Sequence, residues 1–327
     1  MSKKMDGELE AELKRRALIV TQAIEELVPL EHPRPLYEAS RHLVDAGGKR
    51  LRPAMLLLAG EAAGGDPAML APAAVSIELI HNFTLIHDDI MDNADLRRSR
   101  PSVHKLWGQS GAILAGDTLY SKAFQVLGTT AAPPEQLLGA MNMLSQTCTG
   151  ICEGQWLDME FESRERVSEA EYMEMIEKKT GVLYGAAAGI GALLAGASPE
   201  VVSALDQFGR MTGMGFQLQD DVIDLITPES VSGKRQGGDL AEAKKTLIMI
   251  HAFAHGISVP VFGRRDASAD QIQESIGHLE KSGSIDYARC RAEEMVERGK
   301  KALDVLPHSR ARTTLLQLAE YMVKRNY

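Results

Sequence analysis

The stretch that decides the fold is AVSIELIHNFTLIHDDIMD, residues 74–92. Its apolar residues recur at helical spacing and do not alternate, so it is predicted to be one long helix. The same spacing runs through LIVTQAIEELV (18–28), RPAMLLLAGEAA (52–63), GAILAGDTLYSKAFQVL (111–127), EYMEMIEKKTGVLYGAA (171–187) and EMVERGKKALDVL (294–306). Alternation of β-branched residues is scarce. The expected fold is therefore all-α, with several helices ended by Ser, Pro or Gly signals and no repeat period of a solenoid. At 327 residues and 44% hydrophobic, the chain can bury a large core. Its turn-rich stretches are short: HPRP (32–35), GGDPA (64–68), TTAAPPE (129–135), GASPE (196–200) and the longer TPESVSGKRQGGD (227–239). With no linker, residues 1–327 are expected to form a single domain.

A net charge of −9 argues against nucleic acid as a partner. Lys and Arg are nevertheless clumped in GGKRLRP (47–53), LRRSRP (96–101), EKKT (177–180), GKR (233–235) and AKKT (243–246). Basic clusters beside aspartate clusters in an acidic chain suggest a small anionic ligand handled with a divalent metal. Cys148, Cys152 and Cys290 form no disulfide framework or CxxC motif and suit a reducing cytosol. The charged start MSKKMDGELEAELKRR lacks a signal peptide's apolar region and reads as an exposed helix. These features together predict a cytoplasmic protein. The uncharged GVLYGAAAGIGALLAGA (181–197) falls short of the roughly 20 residues needed to span a bilayer. It is expected to be a core helix, with Gly181, Gly185 and Gly189 allowing close approach of another helix or a ligand.

The helix of 74–92 ends in DDIMD, and LQDDVIDLI (218–226) repeats the DDxxD pattern. Helix geometry places Asp88 with Asp92, and Asp220 with Asp224, on shared faces. Following the first face back meets Thr84 and His81; from Asp220 or Asp221 it meets Gln217. Apolar flanks imply burial along much of each helix, where clustered carboxylates repel and shift their pKa values unless a cation satisfies them. Magnesium is the expected cation, because it uses few carboxylates and completes its shell with water and phosphate oxygens. Zinc or iron would require His or Cys ligands that the second motif lacks.

Taken together, GGKRLRP (47–53), ELIHNFTLIHDDIMDNADLRRSRPSVH (78–104), GQWLDM (154–159), EKKTG (177–181), FQLQDDVIDL (216–225), GGDLAEAKKTL (237–247) and SGSIDYARCRAEEMVERGKKAL (282–303) resemble the trans-isoprenyl diphosphate synthase family. They occur in the family's order along almost the whole chain. The resemblance implies a helical bundle around a deep central cavity, a homodimer, and DDxxD motifs facing each other across the cavity mouth. It also implies the reaction: an allylic diphosphate ionises, its carbon alkylates isopentenyl diphosphate, and a proton is lost. Dimethylallyl, geranyl and farnesyl diphosphates are the implied allylic substrates. Neither nucleic acid nor a membrane span is expected.

Carried over by position, the resemblance gives Asp88 and Asp92 two magnesium ions and Asp220 a third, about three per site, with Asp224 in support. Arg97, Lys179, Lys234 and Lys244 would grip the allylic diphosphate; Lys49, Arg52, His81 and Arg98 would hold isopentenyl diphosphate. The carbonyl of Lys179, the hydroxyl of Thr180 and the amide oxygen of Gln217 would face the allylic cation. No dedicated protein base is evident, and the released diphosphate is the implied proton acceptor. The sequence departs from the family pattern at Ser99, where Gly is usual, and at Arg235, where Pro is usual. Ser99 must either avoid a positive φ or bear its strain.

Phe83 and Thr84 lie five and four residues before Asp88, about 6 to 7.5 Å along a helix rising ~1.5 Å per residue. They are the candidate floor for the growing chain. One aromatic there, with no insertion within DDIMD, resembles the archaeal geranylgeranyl diphosphate synthases and implies a twenty-carbon product. A farnesyl or bifunctional farnesyl/geranylgeranyl synthase is the alternative. More distant readings are a metal phosphohydrolase, which would leave the second DDxxD unexplained, and a terpene cyclase, which needs no isopentenyl diphosphate site. A non-catalytic partner subunit is normally marked by missing aspartates, and here both motifs are intact.

Overall fold

A computed structural model describes residues 7–228 and 235–325. Within them the chain is built from helices: α1 (Gly7–Leu27), α2 (Arg34–Asp45), α3 (Leu51–Ala62), α4 (Ala71–Met91), α5 (Val103–Leu127), α6 (Pro134–Ser163), α7 (Glu169–Ile176), α8 (Val182–Leu194) and α9 (Pro199–Ile226). After these come α10 (Gly238–Ala241), α11 (Leu247–Ala254), α12 (Ala269–Lys281), α13 (Ser284–Ala302) and α14 (Arg310–Lys324). The all-α expectation is met, and the stretch 74–92 lies in α4 with Asp92 as its C-cap.

Helix α8 explains the bland apolar stretch at 181–197. It is only 13 residues long and buried on nearly every side, as expected for a helix apolar all round. Tyr184, Ala188 and Ala192 join a core shared with α3, α9, α13 and α14. Leu183, Ala186, Ala187 and Ile190 join a second core with α2, α4 and α5. Small residues permit this double packing: a Cβ added to Gly191 would strike the Leu56 carbonyl of α3. Among the described residues, no helix is long and apolar enough to cross a membrane.

Three local expectations are revised. The segment 171–187 is not one continuous α-helix, because a π turn at Glu177–Gly181 separates α7 from α8. Such turns bulge the chain outward and re-aim side chains, frequently at functional sites. The first helix is not simply exposed: Leu9, Leu13 and Val20 are buried, and Arg16 is enclosed between Glu12 and Glu61. Finally, the segment after α4 forms a small antiparallel hairpin in which β1 (Leu96–Arg97) pairs with β2 (Arg100–Pro101). Its two turn residues, Arg98 and Ser99, have φ values of 53° and 60°. Positive φ at both central positions is what the twist of a two-residue hairpin demands, so Ser99 bears the strain that glycine would avoid.

Candidate active site

The C-terminal end of α4, the π turn and α9 converge, and they carry the aspartates with them. Asp89 is fully buried and accepts from Arg97 Nε at 2.8 Å, while Arg97 Nη2 lies 3.4 Å from Asp88 Oδ2. The hairpin therefore delivers Arg97 to the first motif. From the opposite side Lys179 Nζ reaches to 3.5 Å from Asp88 Oδ1 and 2.5 Å from Asp158 Oδ2. Burial alone would lower the Lys179 pKa, but Asp158 and Asp88 outweigh it and raise it. Withdrawal from bulk water, followed by the charge of Asp88, pushes Asp92 up to about 6, with Lys179 and Lys244 opposing the shift. The predicted crowding of carboxylates is thus present and partly relieved by fixed cations.

In α9 the three aspartates of the second motif diverge. Asp220 is ion-paired with Arg325, whose guanidinium lies over the Phe216 ring at 4.1 Å. Burial lowers Arg325 to about 10. Asp221 turns inward, accepting from Tyr172 and, at 3.0 Å, from Gln217 Nε2. Burial and then the charge of Asp239 push Asp221 up to about 7. Asp224 Oδ2 accepts the Asp239 amide at 3.1 Å, and its carbonyl accepts the Gly237 amide at 2.9 Å. Its carboxylate thereby anchors the turn leading to α10. Lys244 pairs with Asp239 at 3.2 Å and Glu242 at 3.5 Å; these acids overcome burial and raise its pKa. Thr180 Oγ1 donates to Gln217 Oε1 at 3.1 Å, which brings together two of the three polar groups expected at the π turn and α9.

The second basic cluster forms at the start of α3. Gly47 and Gly48 have φ values of 75° and 130°, and Arg50, at φ 48°, caps α3. Arg50 is buried in an ion pair with Glu78, which also accepts from Asn82 Nδ2 at 2.8 Å. This pair forms the base beneath the site. Arg98 donates to the carbonyls of Leu43, at 2.9 Å, and Gly47. Arg52 stacks 4.3 Å above the Tyr184 ring and donates to His81 Nε2 at 3.3 Å. Since guanidinium cannot accept, His81 presents a lone pair to it. Burial and the surrounding arginines, Arg52 first, hold His81 well below 6.5. Lys49 lies over Tyr321 at 5.6 Å. Among the described residues neither Arg52 nor Arg98 has a carboxylate ion pair, and the buried Arg52 Nε has no hydrogen-bond partner. An anion would satisfy this cluster.

Arg97 and Arg98 are neighbours in sequence, yet the hairpin turn sends one to the aspartates and the other to the basic pocket. Lys234 lies outside the described residues. Phe83 packs edge-on against His87 at 4.9 Å and Tyr120 of α5 at 5.4 Å, while Thr84 Oγ1 donates to the His81 carbonyl at 2.8 Å. Sequence reasoning quoted GQWLDM without assigning Asp158, and it passed over Tyr172, Asp239 and Arg325. Asp158 was visible as an acid within a quoted motif. Asp239 was visible in the same way within GGDLAEAKKTL; for Tyr172 and Arg325 only tertiary proximity gives the signal.

Among the described residues, no three His, Cys, Asp or Glu side chains gather into a ready-made metal cage. The oxygen-only donors Asp88, Asp92 and Asp220 suit a hard cation that completes its shell with water and phosphate oxygens.

The polyprenyl synthetase family model matches residues 33–279. The chain is 55% identical to a geranylgeranyl diphosphate synthase of Methanosarcina mazei, over 97% of this chain and 98% of that protein. It is 48% identical to a geranylfarnesyl diphosphate synthase of Natronomonas pharaonis, over 98% of both. The solved structure of a geranylgeranyl pyrophosphate synthetase from Geoglobus acetivorans superposes with a TM-score of 0.91 at 47% identity, covering 96% of this chain and 99% of that one.

Proposed function

The chain belongs to the polyprenyl synthetase family, and on that premise we propose that it is a short-chain trans-prenyltransferase that makes geranylgeranyl diphosphate. One domain, spanning 1–327, would carry the reaction. The observation that carries this reading is the divergence of Arg97 and Arg98. It equips two adjacent anion sites, as joining two diphosphate substrates requires; a phosphohydrolase or terpene cyclase needs only one.

In this reading, Arg97, Lys179, Lys244 and Lys234 bind the allylic diphosphate. Asp88, Asp92 and Asp220, supported by Asp224, would hold about three magnesium ions. Those ions, when bound, would neutralise charge on the diphosphate. The Arg and Lys side chains act where negative charge develops as the allylic C–O bond breaks, the point at which electrostatic preorganisation is most effective. Lys49, Arg52, His81 and Arg98 orient isopentenyl diphosphate so that its double bond meets the allylic carbon. Neutral His81 supplies a hydrogen bond without adding another positive charge to the cluster. The Lys179 carbonyl, Thr180 hydroxyl and Gln217 Oε1 turn their negative ends toward the carbon bearing positive charge. The released diphosphate takes the proton. Dimethylallyl, geranyl and farnesyl diphosphates would be the successive allylic substrates, each transferred to isopentenyl diphosphate and so lengthened by one isoprene unit.

A homodimer in the cytoplasm is part of the same reading. The exposed Ile113 and Leu114 of α5 and Trp156 and Met159 of α6 support it, since apolar surface of this kind favours association.

Product length tests both the reading and the floor. Purified protein with magnesium, labelled isopentenyl diphosphate and each allylic starter should stop at twenty carbons, and Phe83→Ala should extend further. Failure to use the fifteen-carbon starter would make the enzyme a farnesyl synthase. A twenty-five-carbon wild-type product would align it with the Natronomonas relative, and absence of product from every starter would reject the catalytic reading.

A further inference from the structure

Beneath the polar trio runs a buried chain of hydrogen bonds that leaves Gln217 one orientation. Thr180 Oγ1 donates to Gln217 Oε1, Gln217 Nε2 donates to Asp221 Oδ1, and Tyr172 donates to Asp221 Oδ2. The amide nitrogen of Gln217 thus faces Asp221, and its oxygen, which accepts from Thr180, points the other way. Tyr172 is 2% exposed and Asp221 6%; water is therefore a poor substitute for either partner.

Tyr172 itself is held firmly. It lies in α7, whose first turn is closed by a capping box: Ser168 Oγ accepts the Glu171 amide at 3.3 Å, and Glu171 Oε2 accepts the Ser168 amide at 2.8 Å. Its ring is part of the core shared with α3, α9 and α13. Burial and the charge of Asp221 raise its pKa well above 10, so the phenol remains a donor.

We infer that Tyr172 is a positioning residue for prenyl transfer, acting through Asp221 to keep the Gln217 amide oxygen turned toward the allylic cation. The inference rests on the prenyltransferase reading given above. Loss of the phenol leaves a buried carboxylate with one donor fewer. Gln217 is then free to rotate and present its NH2 group, the positive end of the amide dipole, to a carbon gaining positive charge. Substrate binding does not depend on that orientation, but ionisation does.

The test compares wild type, Tyr172→Phe, Asp221→Asn and the double variant in single-turnover condensation and in steady-state KM for each diphosphate. Tyr172→Phe should slow the single-turnover rate about tenfold or more, with both KM values within twofold of wild type. The double variant should lose no more than the slower single variant, because both changes release the same amide. Multiplying losses, or a KM rise that accounts for the change, would overturn the inference, as would an unchanged rate. If Tyr172→Phe fails to fold, Asp221→Asn must show the same rate-only loss for the inference to stand. A wild type with no condensation activity rejects the functional reading and this inference with it; an active wild type beside an unaffected Tyr172→Phe rejects the inference alone.

Discussion

Gly154 of α6 lies directly against the backbone of Lys179, and a Cβ added at Gly154 would overlap the Lys179 amide nitrogen. This contact brings Asp158, one turn further along α6, onto the Lys179 ammonium. Gly154→Ala must push α6 away from the π turn. The expected cost is about 1–3 kcal/mol of stability, together with a marked loss of activity as Lys179 leaves its position. Thermal unfolding and steady-state kinetics on the same preparation check this; an alanine variant with wild-type values would show that the contact constrains nothing.

Ser99 occupies a φ of 60° in the turn of the hairpin. An L-residue there is strained by roughly 1–2 kcal/mol, part of which glycine recovers at the expense of a more flexible unfolded chain. Ser99→Gly should stabilise the protein by up to about 1 kcal/mol, measured as a rise in the urea midpoint at constant slope. A fall in the midpoint would mean that the serine makes contacts worth more than its strain.

His81 sets an acid limit on stability. Its pKa in the fold lies well below the 6.5 of an unperturbed histidine, so as pH falls through 6.5 the unfolded chain takes up a proton that the folded protein refuses. The stabilisation is therefore complete above 6.5 and is lost as pH falls toward the folded value. Replacing His81 with Gln should flatten this limb, so that the difference in unfolding midpoint between pH 7 and pH 5 is smaller than in wild type. Equal slopes for the two proteins would contradict the buried neutral imidazole.

Arg325 and a divalent cation cannot both claim the same Asp220 oxygen, because the guanidinium already neutralises it. Arg325→Gln should therefore lower the magnesium concentration needed for half-maximal thermal stabilisation, several-fold, in the absence of substrates. An unchanged or higher requirement would show that Asp220 does not meet the metal on the side facing Arg325.

How much of this was legible beforehand follows from the range of the interactions. Helical spacing is local, so the stretch 74–92 and its fellows announced an all-α chain without any knowledge of their neighbours. Both DDxxD motifs also follow helix geometry, which puts Asp88 and Asp92 on one face, whereas Thr180 and Gln217 were expected together only from the family resemblance. The π turn was not foreseen, because its i→i+5 pattern breaks a periodic sequence without changing its composition. Nor could one motif disclose that its aspartates take separate partners: Arg325 of the C-terminal segment for Asp220, Tyr172 of α7 and Gln217 of its own helix for Asp221, and the Asp239 amide for Asp224.

The sequence by itself determined the all-α class and the residue types suited to an anion and a hard cation, and it singled out Ser99 without deciding whether that residue takes a positive φ. Tertiary structure alone decided which way each side chain faces. Arg97 and Arg98 are chemically identical, and only the positive φ of the turn between the strands sends them to different sites. The carboxylates of one motif are identical as well, and their roles are separated by burial and by partners brought from distant segments, because charge and hydrogen bonding act through space and not along the chain.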